Sequence, residues 1–182
     1  KAPGVDGVRK EDYAEGVEAR LEDLSARIRR LGYRPQPARR TYIPKGDGRL
    51  RPLGVPCFED RLVQDRLSQM LQAIWEPAFR DCSYGFRPGR SAHDALRRVA
   101  EVITNEGTQW VVEADIKGFF DHVSHAHVRR FLEHRIGDPN FVRIIQRFLK
   151  AGILEDGVFT ASGEGTPQGC RGRSETGRNL TI

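Results

Sequence analysis

Asp115 closes a short apolar run in "VVEADIKGFFDHV", residues 111–123, and a lysine, a glycine and two phenylalanines follow it at once. A carboxylate at a strand end has two ordinary uses. It caps the next turn or helix by accepting backbone N–H groups, or it offers oxygen to a divalent cation, because Mg²⁺ takes carboxylate oxygens together with substrate phosphates. If 110–116 is a strand, Val111, Glu113 and Asp115 share one face, with Glu113 roughly 6.5–7 Å from Asp115. Glu113 then either helps a metal site or makes a salt bridge, and Asp121 stands where it can cap the following helix. His122, His125 and His127 match no usual zinc spacing and lack a fourth ligand, so a solvent-facing helix start is expected for them. The residues alone leave the role of Asp115 open.

Cationic chemistry is concentrated elsewhere. "RIRRLGYRPQPARRTYIPKGDGRLR", residues 27–51, holds nine Lys/Arg against one acid, Asp47, while the whole chain carries +5, so the remainder is net acidic. Of the 30 cations 25 are Arg, whose planar fork matches phosphate oxygens bidentately. A solvated face accounts for such a run; so does a polyanionic partner. A second basic site, "GFRPGR", sets Arg87 and Arg90 beside Phe86, which suits either a helix-entry loop or a nucleic-acid contact.

The elements that must position these groups are legible in outline. Val17, Leu21, Leu24, Ile28 and Leu31 recur at helical spacing over 11–31, and Gly32 is placed to close that helix. "RTYIPK" and "LRPLGVP" read as strands joined at "GDG", a hairpin signal. A helix is expected from Glu59 to Trp75, with Leu62, Val63, Leu67, Met70, Leu71 and Ile74 inward and Pro77 as its stop. Ser91 and Asp94 form a capping-box pattern for a helix to Asn105. "QWVVEADI" reads as a buried strand, helices at 125–135 and 139–150 are divided by "GDPN", and "ILEDGVFTASG" turns at Asp156-Gly157. Helices and antiparallel strands in unequal clumps define an α+β chain.

At 182 residues the chain suits one domain or two small lobes. Apolar content of 38% with 30% charge is that of a globular protein. No run of 18 apolar residues exists, so no membrane partner is expected. The start, "KAPGVDGVRK", has neither a secretory plan nor an initiator Met, and a fragment of a longer protein is expected. Three distant cysteines, Cys57, Cys82 and Cys170, read as reduced thiols of a cytoplasmic protein.

Five stretches share one resemblance. "EADIKGFFDHV" resembles the first palm motif of reverse transcriptases of the bacterial group II intron-encoded, maturase-type lineage. "YIPKGDGRLRPLGVPCFEDRLVQDRLSQMLQAIWEPAF" is similar to that family's fingers motif, "SYGFRPGRSAHDAL" to its next motif, "GTPQG" to the one after the palm aspartate, and "KAPGVDG" to its N-terminal extension. Retron, diversity-generating and CRISPR-associated enzymes share these motifs, and "GFRPGRSAHDAL" leans to the intron side. The resemblance implies a right-hand polymerase fold: an extension and fingers over 1–106, running into palm helices, and a partial palm over 107–169. It implies an RNA-directed DNA polymerase using two Mg²⁺ ions (Mn²⁺ as a substitute), with an RNA template, a DNA primer, dNTP and intron RNA as partners.

The implied roles fall on matching positions. Asp115 and the Ile116 carbonyl would ligate metal. Lys45 and Arg51 would clamp the triphosphate, Phe119 would gate against a 2′-hydroxyl, with Phe120 facing the core, and Gln168 would contact the incoming nucleotide. Gly165 and Gly169 would let backbone approach closely. Phe86, Arg87 and Arg90 would lie along the template. The family's partner acids stand in a later Tyr-Ala-Asp-Asp hairpin, which this chain does not contain. From Cys170 the polar "CRGRSETGRNLTI" replaces the expected apolar helix, so 170–182 reads as an aberrant or disordered tail from a frameshift or truncation. No thumb, maturase domain or endonuclease is expected within these residues. The chain alone is expected to be inactive as a polymerase; a non-catalytic intron-RNA-binding, maturase-like module is the competing reading.

Overall fold

The computed structural model describes residues 2–44, 46 and 48–166. Lys45, Gln168, Gly169 and the 170–182 tail lie outside the described residues. Among those described are six α-helices: α1 Lys10–Ala14, α2 Val17–Arg29, α3 Phe58–Trp75, α4 Ala92–Asn105, α5 His125–Glu133 and α6 Pro139–Leu149. Four strands accompany them: β1 Ala38–Pro44, β2 Leu50–Val55, β3 Ile153–Glu155 and β4 Val158–Thr160. The α+β class holds. The chain forms two compact units, one from the chain up to Leu67 together with the stretch from Gly118 onward, the other Ser68–Lys117. These units cut the chain at points other than 106/107, and the fingers-and-palm division remains a functional reading.

In the first unit one sheet runs in the order β2-β1-β3-β4. The β1–β2 hairpin is antiparallel, with Arg39 opposite Val55 and Pro44 opposite Leu50. The β3–β4 hairpin turns at Asp156-Gly157, both left-handed at φ 48 and 81, as a two-residue primed turn requires. The expectation of purely antiparallel strands is corrected at β1–β3, which pair in parallel through Ala38 with Ile153 and Arg39 with Leu154. The chain reaches β3 only after more than a hundred residues, and such a long connection permits a parallel return.

The expected 11–31 helix is two helices. Gly16 takes φ 68 and breaks the run before α2, leaving Leu24 buried but Val17 and Leu21 exposed. The closing residue also differs. Leu31, not Gly32, adopts the left-handed conformation at φ 58, while Gly32 and Tyr33 donate to the Arg27 carbonyl at 2.8 and 3.1 Å. Arg147 of α6 holds this irregular exit, donating to the Leu31 and Tyr33 carbonyls at 2.8 and 2.6 Å. A guanidinium thus satisfies two carbonyls of the irregular stretch just past the helix end.

The core of this unit gathers Tyr13, Leu24, Tyr33, Leu53, Val55, Val63 and Leu67 with Leu132, Val142, Ile145 and Leu149. Val63 and Leu67 of α3 point inward as expected, but Met70 is 54% exposed. Asp60 is the buried charge of this region, accepting from the Tyr33 hydroxyl and from the Gln36 N–H at 3.0 Å. Burial pushes its carboxyl up to about 6, against the pull of those two donors. The N-terminal strap packs here too: a Cβ at Gly4 would lie 2.6 Å from the Cys57 Cα, and burial lifts the Cys57 thiol to about 11.

Candidate nucleotide and nucleic-acid site

The "KGFFDH" stretch folds as a tight 3-10 turn, Phe119–Asp121, entered through Gly118 at φ 65. The rings of Phe119 and Phe120 meet edge to face, centroids 5.3 Å apart, and both are substantially exposed. Phe120 was expected to face the core; at 41% exposure it does not. On so short a turn the two rings pack against each other and neither is buried.

Against this turn lies the beginning of "GTPQG". The Thr166 N–H donates to the Phe120 carbonyl at 2.7 Å and the Gly165 N–H to the Val123 carbonyl at 2.8 Å. Gly165 stands at φ 73, and a Cβ there would fall 2.5 Å from the Asp121 oxygen and 2.9 Å from the Phe120 oxygen. Only glycine combines that backbone angle with that approach. The close backbone passage expected of Gly165 is therefore present. His125, first residue of α5, adds a side-chain hydrogen bond: its Nε2 lies 2.7 Å from the Gly165 carbonyl.

Two expectations for this neighbourhood are corrected. Asp121 does not cap α5; Ser124 does, accepting from the His127 N–H at 3.4 Å. The cap must sit immediately before the first helical residue, and Asp121 is taken up by its own turn. Nor is the histidine cluster uniformly solvated. His122 is exposed, with Nδ1 3.6 Å from Glu164, whereas His125 is half-buried in its contact with Gly165. His125 is the residue the sequence did not single out, and nothing in its spacing separates it from its two neighbours.

Asp115 lies in the second unit, and here the expected buried strand is absent. Residues 107–116 form no strand, with Trp110 87% and Val112 90% exposed. No described strand pairs with them, and an apolar segment without a hydrogen-bonding neighbour cannot hold an extended ladder. The alternation that would have set Glu113 and Asp115 on one face goes with the strand. Asp115 and Ile116 are exposed. Among the described residues no group of three or more His, Cys, Asp or Glu is arranged to hold a metal ion.

The "SYGFRPGRS" loop is in this unit too. Ser91 accepts from the Asp94 N–H and Asp94 from the Ser91 N–H at 2.9 Å, so α4 opens on the expected capping box. The Ser91 bonds hold the Asp94 carboxyl below its usual range. Arg87, expected on the template, is instead spent on the loop. Its side chain is 7% exposed, paired with Glu76 at 2.8 Å and donating to the Arg80 and Ser83 carbonyls at 2.8 and 2.9 Å. A guanidinium with its fork so occupied has little left for phosphate. Arg90 is more open, bonded to Asp81 and set 5.3 Å from the Tyr84 ring. Phe86 is 59% exposed.

In the first unit Arg51 is exposed on β2, opposite Ile43. The basic segment divides in two. Arg27 is drawn into Asp23 and Glu59 at 2.6 and 2.8 Å and Arg39 donates to the Pro3 carbonyl, whereas Arg29, Arg30, Arg34, Arg49 and Arg51 are exposed.

Residues 43–172 match the family described as reverse transcriptase (RNA-dependent DNA polymerase). Protein YkfC of Escherichia coli (strain K12) is 42% identical over 170 residues, which is 92% of this chain and 45% of that protein. The group II intron-encoded protein LtrA of Lactococcus lactis subsp. cremoris is 40% identical over 161 residues, 87% of this chain and 26% of that one. A more distant match is nuclear intron maturase 1, mitochondrial, of Arabidopsis thaliana, 32% identical over 95 residues, 52% of this chain and 13% of that protein. The chain belongs to the reverse transcriptases, and among them to the group II intron reverse transcriptase and maturase family. It spans less than half the length of the first two of these relatives.

Proposed function

We propose that this chain is the fingers and the start of the palm of an RNA-directed DNA polymerase of group II intron type. One observation carries the reading. The Phe119–Asp121 turn and the Gly165–Thr166 segment, more than forty residues apart, are joined backbone to backbone with a glycine at the one point where no Cβ fits. Two stretches that resemble polymerase motifs form one local structure.

In this reading Arg51 and Lys45 hold the triphosphate, Phe119 lies under the sugar and rejects a 2′-hydroxyl by bulk, and Gln168 touches the incoming nucleotide. Phe86 and Arg90 meet the RNA template, Arg87 shaping the loop that presents them. A DNA primer and dNTP complete the set, in a bacterial cytoplasm, with the divisions 1–106 and 107–169 as fingers and partial palm. Mg²⁺, or Mn²⁺ in its place, supplies charge neutralisation for nucleotidyl transfer when bound. Asp115 and the Ile116 carbonyl give it one carboxylate and one carbonyl. That donor set does not fit a resident two-metal centre, which needs further acids.

Polymerisation accordingly belongs to a longer protein of this kind, and the 182-residue chain does not extend a primer. Purified chain is tested on an RNA template with primer, dNTP and Mg²⁺. No extension is expected; extension that disappears in Asp115→Ala overturns the proposal. The second reading, an intron-RNA-binding module, is favoured by the five exposed arginines of the basic segment. It predicts RNA binding with a steep salt slope that ignores both added nucleotide and Asp115.

A further inference from the structure

Among the described residues three hydrogen bonds fasten the start of "GTPQG" to the turn and the first residue of α5. Two are between backbone groups, Thr166 to Phe120 and Gly165 to Val123. The third, from His125, is the one made by a side chain. Its partner is a carbonyl, which only accepts, so Nε2 must carry the hydrogen. The ring is well placed to act as a fixed post. It stands at the first position of α5, behind the Ser124 cap, on a helix anchored through buried Leu132. The Gly165 carbonyl shares its peptide unit with the Thr166 N–H, which is already bonded to the Phe120 carbonyl, so His125 clamps the same peptide from its other side.

We propose that His125 is a positioning residue: it locks the Gly165–Thr166 strap onto the Phe119–Asp121 turn, and thereby fixes the attitude of the Phe119 ring. The role of that ring in selecting a deoxynucleotide rests on the polymerase reading; the clamp itself does not. Without the Nε2 donor the strap retains two backbone bonds and the longer His122–Glu164 contact at 3.6 Å, but loses its side-chain hydrogen bond to α5. The Phe120 carbonyl then frays from Thr166, and the turn carrying Phe119 loosens with it.

The experiment uses the full 182-residue chain and two variants. His125→Phe keeps a ring of similar size and removes the donor. His125→Gln places an amide nitrogen near the position of Nε2 and keeps the donor. Amide hydrogen exchange at Gly165 and Thr166 is followed by two-dimensional NMR, with Leu132 and Ile145 as internal references for the fold. His125→Phe should accelerate exchange at both amides by about tenfold, the effect of one lost hydrogen bond, and His125→Gln should restore it to within about threefold. Unchanged exchange in His125→Phe, or equal acceleration in both variants, overturns the clamp. In a parallel arm, dNTP and rNTP are titrated into the same three proteins. If the unsubstituted chain binds neither while the exchange pattern is as expected, the clamp stands and the polymerase reading falls. If it prefers dNTP, His125→Phe should narrow that preference and His125→Gln retain it; a preference untouched in His125→Phe removes the link from clamp to ring.

Discussion

The carboxyl of Asp60 sits 3% exposed beneath two donors, Tyr33 and Gln36, and is held at about 6 by burial. An unfolded chain releases that proton near pH 4. Between these values the folded state holds more protons than the unfolded one, so this group's contribution is full below pH 4 and is lost as pH rises through 6. The difference in unfolding free energy between the unsubstituted chain and Asp60→Asn should therefore shift against the former by up to about 3 kcal/mol from pH 4 to 7. Urea titrations at the two pH values measure it; a flat difference contradicts the assignment. At Gly165 the constraint is steric. Gly165→Ala must place a methyl 2.5 Å from the Asp121 oxygen at φ 73, which costs about 1–3 kcal/mol locally. Exchange at the Thr166 amide should rise while that at Ile145 stays fixed.

Arg87 shows what an element asks of one residue. The turns between α3 and α4 have few apolar anchors, and the Arg87 fork joins Glu76, Arg80 and Ser83 across them, stacking 5.3 Å from the Phe79 ring. Arg87→Lys keeps the charge but not the fork. It should raise amide exchange at Ser83 by about tenfold or more, as loss of one or two such bonds implies, and leave the Leu132 and Ile145 amides unaffected. Elements with their own signals were legible in the sequence: the β1–β2 hairpin, the capping box at Ser91, the Asp156-Gly157 turn, and α5 and α6 divided at Asp138. What the sequence hid depended on partners distant along the chain. Leu31 takes a left-handed angle where Arg147, more than a hundred residues later, donates to its carbonyl. The 109–116 run has strand composition but no paired neighbour. Arg87 looks like a phosphate ligand until Glu76 is seen beside it. Of the site, the approach at Gly165 was foreseen through resemblance, and the contact with His125 was not.

At the scale of the molecule the two units are unequal. From Ser68 to Lys117 the only buried residue is Ser68 itself, and Leu96, Val99 and Ile103 of α4 are all exposed. The first unit holds the apolar core. Stability should follow that division: amides of α6 should exchange near the global limit, and those of α4 at least about a hundredfold faster. Equal protection would contradict it. Arg51 and Phe119 both lie in the first unit, and both are exposed. The decisive measurement is a titration of the chain with Mg²⁺–dNTP, reading the backbone amides of Arg51 and Phe119. Saturable shifts at both, reduced by Arg51→Ala, are predicted. Silence at both amides, while RNA alone shifts the exposed arginines of 29–51, would contradict the polymerase account and leave an RNA-binding module in its place.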